Sequence, residues 1–257
     1  MLIAAALATT RAYVLAHPER ELDAGQESLV RGWIERRATG EPIAYVLGSR
    51  EFYGRDFQVT PATLIPRPET ELIVEQALAR LAGQKALKRR ANARLLDLGT
   101  GSGAIAITLA LESSAGVTAC DLSGNALDIA RQNALRLNAT VELMVSDWYG
   151  GLGNRKFDVI VSNPPYVAGD DAHLAQGDLR FEPQTALTDG SADGLASIRA
   201  IVGGAPAHLD AGGWLLFEHG YDQADACREL LLEAGFNDLY FARDLAGIER
   251  VSGGQIR

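Results

Sequence analysis

The side chains best suited to chemistry in this chain stand together in one short stretch, Asn163-Pro164-Pro165-Tyr166. The stretch follows the apolar run 157–162 directly, so we expect it at the carboxyl end of a buried strand, where open α/β sheets bind ligands. The asparagine offers one acceptor and two N–H donors, the prolines stiffen the turn, and the tyrosine supplies a flat face. Such a set can hold a planar amide or amino group, although it also suits an ordinary turn after a strand.

A glycine-rich turn lies upstream, between the apolar run 95–98 and an apolar segment that begins at Ala104. Gly99, Gly101 and Gly103 allow the backbone to turn sharply and let a ligand approach it closely. This spacing alone does not decide the ligand, because it suits a dinucleotide site and simple packing of a strand against a helix. No lysine of the Walker type follows the glycines, so we do not expect a nucleoside triphosphate.

Two acidic residues make the prediction of a ligand site sharper, because each follows an apolar run. Asp121 ends the run 117–120, where a carboxylate can accept hydrogen bonds from both hydroxyls of a ribose. Asp147 and Trp148 follow the run 141–145, where the carboxylate can accept the adenine amino group and the indole can cover the ring. The sequence therefore favours a ribose-containing ligand at the end of the run 117–120, whereas Trp148 suits either a cover for a ring or a packed surface side chain.

The elements needed to position these residues alternate regularly along the chain. We predict strands at 95–98, 117–120, 141–145, 157–162, 214–218, 239–243 and 249–256, and helices at 69–81, 104–111, 124–137, 195–209 and 222–234. Repeated β-α units followed by a strand pair predict an α/β fold, with a mostly parallel sheet and an antiparallel edge. The polar stretch 167–190 is long enough for a lid or a binding loop.

The beginning of the chain does not follow this alternation. Its apolar start, 1–7, is short and lacks a preceding charge, so it predicts a helix rather than a secretory signal. A His-Pro pair separates that helix from a second one, which ends near Gly40. Residues 42–59 alternate around Gly48 as a β-hairpin would. We therefore expect three parts, a helical domain at 1–40, a β-hairpin linker at 41–66 and the α/β domain at 67–257.

Composition restricts the class of protein further. The net charge of −9 gives a nucleic-acid backbone no general attraction, since phosphate binding relies on Lys and Arg. No apolar run reaches the roughly 18 residues of a membrane span. The two cysteines, Cys120 and Cys227, fit neither a metal site nor a disulfide framework. We expect a cytoplasmic protein with no metal, no membrane contact and no general nucleic-acid binding.

One basic cluster departs from this acidic balance. Its residues are Lys85, Lys88, Arg89, Arg90 and Arg94. A run of this kind could contact RNA, but a solvated linker before the first strand of the α/β domain is the favoured interpretation.

Taken in order, strand-Asp-x-Gly-x-Gly-x-Gly, the acidic end of the next strand and Asn-Pro-Pro-Tyr resemble the class I S-adenosylmethionine-dependent methyltransferases that act on planar nitrogens. Within that class, the chain resembles the release factor glutamine methyltransferase family, PrmC or HemK, from about Leu15 to Val251. The segments that carry this resemblance are Glu41-Pro42-Ile43-Ala44-Tyr45, Arg50-Glu51-Phe52, Thr63-Leu64-Ile65-Pro66-Arg67-Pro68-Glu69-Thr70 and Phe181-Glu182-Pro183. The resemblance implies a Rossmann-like class I methyltransferase fold, and S-adenosyl-L-methionine as the cofactor.

The family's N-terminal domain is a small helical bundle, and compared with it this chain begins late. We therefore expect the domain at 1–40 to be truncated, with the first helices of the bundle absent. Contacts that those helices make with the protein substrate in the family would then be missing.

The resemblance also implies roles for individual residues, with the glutamine of the Gly-Gly-Gln loop of peptide-chain release factors as the group that is methylated. The residues expected to act in catalysis are Asn163, Pro164 and Tyr166, and those expected to bind the substrate are Asn163, Pro164, Pro165 and Tyr166. The residues expected to bind the cofactor are Gly99, Thr100, Gly101, Ser102, Gly103, Asp121, Asp147, Trp148 and Asn163. We expect the enzyme to act as a monomer.

Three alternatives stay open. An adenine-N6 nucleic-acid methyltransferase would hold the same planar N–H pair after base flipping, although the net charge counts against it. A related enzyme could methylate a glutamine of a ribosomal protein, or the chain could be a cofactor-binding module without catalysis. The chain also contains Gly253-Gly254-Gln255, and coincidence is favoured over self-methylation because the sequence has 27 glycines.

Overall fold

The computed structural model describes residues 1–86 and 93–257, so Lys88, Arg89 and Arg90 of the basic cluster lie outside the described residues. The helices are α1 (Leu2–Ala6), α2 (Arg11–Ala16), α3 (Ala24–Ala38), α4 (Ile43–Leu47), α5 (Glu71–Ala86), α6 (Ala104–Glu112), α7 (Gly124–Leu137), α8 (Gln184–Leu187), α9 (Ala196–His208) and α10 (Ala224–Glu233). The strands are β1 (Ser49–Phe52), β2 (Arg55–Gln58), β3 (Arg94–Leu98), β4 (Gly116–Asp121), β5 (Val141–Val145), β6 (Phe157–Ser162), β7 (Leu209–Glu218), β8 (Asn237–Arg243) and β9 (Glu249–Gln255).

The central sheet has seven strands in the order β5-β4-β3-β6-β7-β9-β8. The first five of these are mutually parallel, whereas β9 runs antiparallel to both of its neighbours. From β3 to β7, each strand is connected to the next strand along the chain through a helix or a long loop, as parallel strands require. The predicted mostly parallel sheet with an antiparallel edge is confirmed.

The strand register brings polar residues into one row. Leu98 of β3 pairs with Cys120 of β4 on one side and with Ser162 of β6 on the other. Ser162 pairs in turn with Phe217 of β7. The next residues on these strands therefore line up along the carboxyl edge of the sheet, and they are Gly99, Asp121, Asn163 and Glu218.

The core lies on both faces of the sheet, because side chains alternate along each strand. On β6, Val159 and Val161 belong to one apolar cluster, and Ile160 between them belongs to the other. Helices α5, α6 and α7 supply the first cluster, whereas α9 and α10 supply the second. The sheet is therefore covered on both faces and presents its carboxyl edge to ligands.

The predicted hairpin at 42–59 is wrong in its first half. Ile43–Leu47 is the helix α4, and Gly48 ends it in the left-handed region with φ 74° instead of turning a hairpin. The antiparallel pair is β1 with β2, and its turn is Tyr53-Gly54, both with positive φ. A glycine after a short apolar run suits the end of a helix as well as a hairpin turn, and here the helix forms.

The N-terminal region is helical, as predicted, but it is divided differently. The segment before His17 forms two short helices, α1 and α2, instead of one. Helix α3 begins with a capping box at Asp23 and ends close to the predicted Gly40. The stretch 167–190, predicted as an irregular loop, contains α8 and two 3₁₀ turns.

The motif Gly253-Gly254-Gln255 is part of β9 and pairs with β7. Gln255 pairs with Trp214, whereas Glu218 at the carboxyl end of β7 pairs with Val251. A Cβ atom on Gly253 would lie 2.3 Å from the Leu215 carbonyl oxygen, so close strand packing explains the glycine. The motif lies toward the opposite edge of the sheet from Asn163.

Within the described ranges 1–86 and 93–257, no helix combines the length and apolar character needed to cross a membrane. The same residues contain no group of three or more His, Cys, Asp or Glu placed to hold a metal ion. Cys120 and Cys227 are both buried and free.

Candidate active site

A cavity of about 750 Å³ opens at the carboxyl edge of the sheet. The predicted site residues on its wall are Gly99, Thr100, Gly101, Ser102, Asp121, Asp147, Trp148, Asn163 and Pro165. The other predicted residues, Gly103, Pro164 and Tyr166, each follow a wall residue directly in the chain. The fold therefore brings together at one cavity two motifs that are about sixty positions apart in the sequence.

The glycine turn is fixed to the neighbouring strand before it enters α6. The backbone N–H groups of Gly99 and Thr100 both donate to the carbonyl oxygen of Cys120, each across 2.9 Å. Gly103 adopts φ 82°, and a Cβ atom there would lie 2.7 Å from the Ile107 side chain. Any larger residue would displace the turn from α6, which explains the last glycine.

Asp121 is held by backbone donors on both of its oxygens. Oδ2 accepts a hydrogen bond from the N–H of Gly101, and Oδ1 accepts one from the N–H of Ser123, each across 2.8 Å. Burial raises the pKa of this carboxyl, and the backbone hydrogen bonds oppose that rise. Because each carboxylate oxygen has a second lone pair, Asp121 can still accept two hydroxyl groups from a ligand.

Trp148 is held in an unusual backbone conformation at the cavity wall. Its φ of 44° lies in the left-handed region, which is costly for a bulky side chain. Ser146 stabilises it, since its hydroxyl donates to the Trp148 carbonyl across 2.7 Å and accepts from the Gly151 N–H across 2.8 Å. Strain that is maintained in this way is typical of functional sites.

Leu122 was not predicted as a site residue, although it lies on the same wall as Trp148. Leu122 is 71% exposed, which is high for a leucine. Together the two residues give the wall two apolar surfaces suited to a purine ring. The signal in the sequence was an apolar residue directly after the acidic end of β4.

Asn163 is the first member of a chain of hydrogen bonds that runs into the protein. Its Nδ2 donates to Thr70 Oγ1 across 3.0 Å, and Thr70 Oγ1 donates to Glu218 Oε2 across 2.8 Å. The Tyr166 hydroxyl donates to the other carboxylate oxygen, Glu218 Oε1, across 3.1 Å. Glu218 is buried, which raises the pKa of its carboxyl, while the two hydroxyl donors lower it.

Sequence reasoning missed both Thr70 and Glu218. Glu218 ends β7 beside the strand that carries Asn163, so its position in the row of strand ends was the available signal. Thr70 belongs to a segment quoted above for the family resemblance, but the resemblance assigned it no role. Tyr166 differs from expectation in its surroundings, because its hydroxyl contacts Glu218 and its partly buried ring packs against the second core cluster.

Asp97 lies beside the glycine turn and is completely buried. Its Oδ2 accepts a hydrogen bond from Thr100 Oγ1 across 2.7 Å. Its Oδ1 has no hydrogen-bond partner among the residues that the structure describes. Burial raises the pKa of Asp97 to about 7. Asp97 therefore places a negative charge behind the glycine turn when it is ionised, without lining the cavity itself.

These observations test the cofactor predicted from the sequence. S-adenosylmethionine carries a ribose diol, a purine ring and a sulfonium centre, which require hydrogen-bond acceptors, apolar walls and negative potential. Asp121 offers the acceptors, Trp148 and Leu122 offer the apolar walls, and Asp97 contributes negative potential when it is ionised. The residues present fit the cofactor.

Comparison with solved structures bears on the fold. The T. thermophilus 16S rRNA N2 G1207 methyltransferase, in complex with AdoMet and guanosine, matches with a TM-score of 0.60 and 21% identity, over 81% of this chain and 50% of that chain. At this identity the likeness shows the fold alone, which is the class I methyltransferase fold.

Comparison of sequences bears on the family. Residues 80–182 match the methyltransferase small domain, and residues 1–48 match the PrmC N-terminal domain. The release factor glutamine methyltransferase of Bordetella pertussis is 53% identical over 258 residues, which cover 100% of this chain and 93% of that protein. The corresponding protein of Burkholderia pseudomallei is 50% identical over 264 residues, covering 100% and 90%. The chain belongs to the release factor glutamine methyltransferase family.

Proposed function

We propose that this protein transfers a methyl group from S-adenosyl-L-methionine to the side-chain amide nitrogen, N5, of the glutamine in the Gly-Gly-Gln motif of peptide-chain release factors. The names and near full-length similarity of the two bacterial relatives support the choice of substrate. The observation that carries the chemistry is the orientation of Asn163, which donates through Nδ2 to Thr70 and leaves Oδ1 as an acceptor on the cavity wall.

An amide nitrogen is a poor nucleophile, because its lone pair is delocalised into the carbonyl group. Asn163 Oδ1 and the Pro164 carbonyl oxygen accept the two N–H hydrogens of the substrate amide. These bonds raise the electron density on nitrogen and fix its direction of attack, which is a positioning and electrostatic effect. When bound, the cofactor supplies a methyl group that its sulfonium centre has already activated. No general base is needed before transfer, since the methylated amide can lose its proton afterwards.

The cofactor is held by the residues that form the adenosine side of the cavity. Asp121 accepts the ribose hydroxyls, and Asp147 accepts the adenine amino group. Trp148 and Leu122 cover the ring, and the turn from Gly99 to Gly103 lies against the remainder of the cofactor. The placement of Asp121, Asp147, Trp148 and Leu122 around a single cavity supports the assignment.

We further propose that the protein acts as a monomer in the cytoplasm, with a release factor as its macromolecular partner. Its two buried free cysteines are consistent with a reducing compartment. The acidic net charge of −9 argues against general binding to nucleic acid.

The test of this function is mass spectrometry of purified release factor after incubation with the protein and S-adenosylmethionine. We expect one added methyl group on the glutamine of the Gly-Gly-Gln motif, and none on a release factor whose glutamine is replaced by alanine. Ribosomal proteins and adenine-containing DNA and RNA serve as competing substrates. Methylation of one of these competitors, with the release factor left unmodified, would replace the proposed function by the corresponding alternative.

A further inference from the structure

The side-chain amide of Asn163 has two ends of similar shape and opposite hydrogen-bonding character, and only one of them can serve the proposed reaction. We propose that Thr70 and Glu218 are positioning residues that hold Asn163 with its oxygen, not its nitrogen, toward the substrate amide. This inference rests on the proposed function and assigns a task to two residues that lie outside the Asn-Pro-Pro-Tyr motif.

The direction of the hydrogen bonds follows from the chemistry of the groups. When Glu218 is ionised, the state that its two hydroxyl donors and Arg250 favour, its carboxylate only accepts hydrogen bonds, so the hydroxyl of Thr70, 2.8 Å from Glu218 Oε2, donates to it. A hydroxyl has a single proton, so Thr70 Oγ1 can only accept from Asn163 across the 3.0 Å that separate them. With Glu218 ionised, the group that donates is Nδ2. The Asn163 oxygen is thereby left for the substrate.

The carboxylate of Glu218, at the end of this series of hydrogen bonds, is itself held in place. Glu218 is 2% exposed, and its second oxygen accepts the Tyr166 hydroxyl across 3.1 Å. Charged residues act on it from two other elements, with Arg250 of β9 favouring the ionised form and Glu69 opposing it. Because both carboxylate oxygens are used by hydroxyl donors, the carboxylate cannot turn away from Thr70 without leaving a buried hydroxyl unpaired.

Loss of the hydrogen bonds that link Asn163, Thr70 and Glu218 would have a specific consequence. Without Thr70 Oγ1, the Asn163 amide loses the side-chain hydrogen bond that fixes which of its two ends faces the cavity. A flipped Asn163 would direct its N–H donors at the N–H donors of the substrate glutamine, and the productive complex would be depleted. The cofactor side of the cavity, with Asp121 and Trp148, would be unaffected.

The test compares Thr70→Val, which replaces the hydroxyl by a methyl group of similar size, with Thr70→Ser, which keeps the hydroxyl. We expect Thr70→Val to lower kcat for release factor methylation at least about 10-fold. This effect is smaller than the loss of about 10²–10³ in rate that is typical for a group in direct contact with the reacting atoms. Thr70→Ser should retain most of the turnover. Both variants should bind S-adenosylmethionine as the wild type does, which also reports that they are folded.

A double-mutant cycle separates positioning from a general structural effect. If Thr70 acts through Asn163, then Thr70→Val combined with Asn163→Ala should be no slower than Asn163→Ala alone, measured in single turnovers with excess enzyme. Losses that multiply would overturn the inference, as would full turnover by Thr70→Val. Should Thr70→Val fail to fold, Thr70→Ala gives the same comparison with less crowding. A wild-type protein that leaves the release factor unmodified would instead contradict the proposed function, so the two failures are distinct.

Discussion

The side-chain nitrogen of Asn133 donates a hydrogen bond to the carbonyl oxygen of Ser102 across 2.9 Å, joining α7 to the glycine turn. The same amide pairs in both directions with the backbone of Gln58 in β2, accepting across 2.7 Å and donating across 3.0 Å. Asn133 is completely buried. A single side chain therefore connects the hairpin, the helix and the turn that lies on the cavity wall.

Replacing Asn133 by alanine should destabilise the protein, because it leaves a buried carbonyl of Ser102 and two part-buried backbone groups of Gln58 without this partner. Each unsatisfied group costs about 1–3 kcal/mol, so we expect the free energy of unfolding to fall by about 3 kcal/mol in total. Urea denaturation measures this change in the free energy of unfolding, provided that the m-value stays the same. The control is Gln132→Ala, which changes the exposed neighbour on the same helix. Equal stability of the two variants would show that the connection contributes nothing.

Replacing Asp121 by alanine tests the adenosine side of the site. The variant loses the carboxylate proposed to accept the ribose hydroxyls, so S-adenosylmethionine should bind about 1–3 kcal/mol more weakly, the scale for hydrogen bonds to a charged group. Isothermal titration calorimetry gives the affinity directly. Asp128→Ala on the exposed face of α7 is the matched loss of one acidic residue. Unchanged affinity in a folded Asp121→Ala protein would remove Asp121 from the ribose role.

Asp97 should make stability depend on pH. Its pKa is raised from the ordinary 3.8 to about 7 in the folded protein, so between these values the folded state binds more protons than the unfolded state. The free energy of unfolding contributed by this group is therefore present at low pH and is lost as the pH rises toward 7 and above.

The substitution Asp97→Asn should remove that dependence, because an amide does not titrate and can still accept from Thr100. We expect the variant to gain more stability relative to the wild type at about pH 8 than at about pH 5, because the wild type loses this contribution between about pH 4 and pH 7. Thermal unfolding at the two pH values measures the difference. If the stabilities of the wild type and the variant change equally between the two pH values, then Asp97 is not the group that causes the pH dependence.

Much of the site was predictable because parallel strands place the ends of apolar runs side by side. Asp121 and Asn163 each follow such a run, and the strand register brings them to one edge of the sheet as expected. The helix predicted at 124–137 is confirmed as α7, and the Ser123 hydroxyl caps it by accepting from the Ala126 N–H across 3.2 Å. The residue types near each strand or helix end were sufficient to predict these features.

Other features depend on contacts that no local pattern reports. Thr70 and Glu218 are 148 positions apart, and their hydrogen bond is created only when α5 packs across the sheet. The helix α4 is five residues long, which is too short for periodicity to distinguish it from a strand. Gly48 ends α4 in the left-handed conformation, and the sequence shows only that a glycine is present at this position.

The most direct test of the account is the rate of release factor methylation by Asn163→Ala, compared with its affinity for S-adenosylmethionine. The substitution removes the acceptor proposed for the substrate amide and leaves the glycine turn, Asp121 and Trp148 in place. Removing one positioned polar group from a site of this kind typically costs about 10²–10³ in rate. Asn154→Ala, an exposed asparagine, is the control and should retain normal turnover.

Asn163→Asp makes the same measurement stricter, because it keeps the size and an acceptor but adds a negative charge beside the methyl donor. We predict that both variants bind S-adenosylmethionine with near-normal or tighter affinity, and that both methylate the Gly-Gly-Gln glutamine at least about a hundredfold more slowly than the wild type. Methylation by Asn163→Ala at a rate close to that of the wild type would contradict the proposed mechanism.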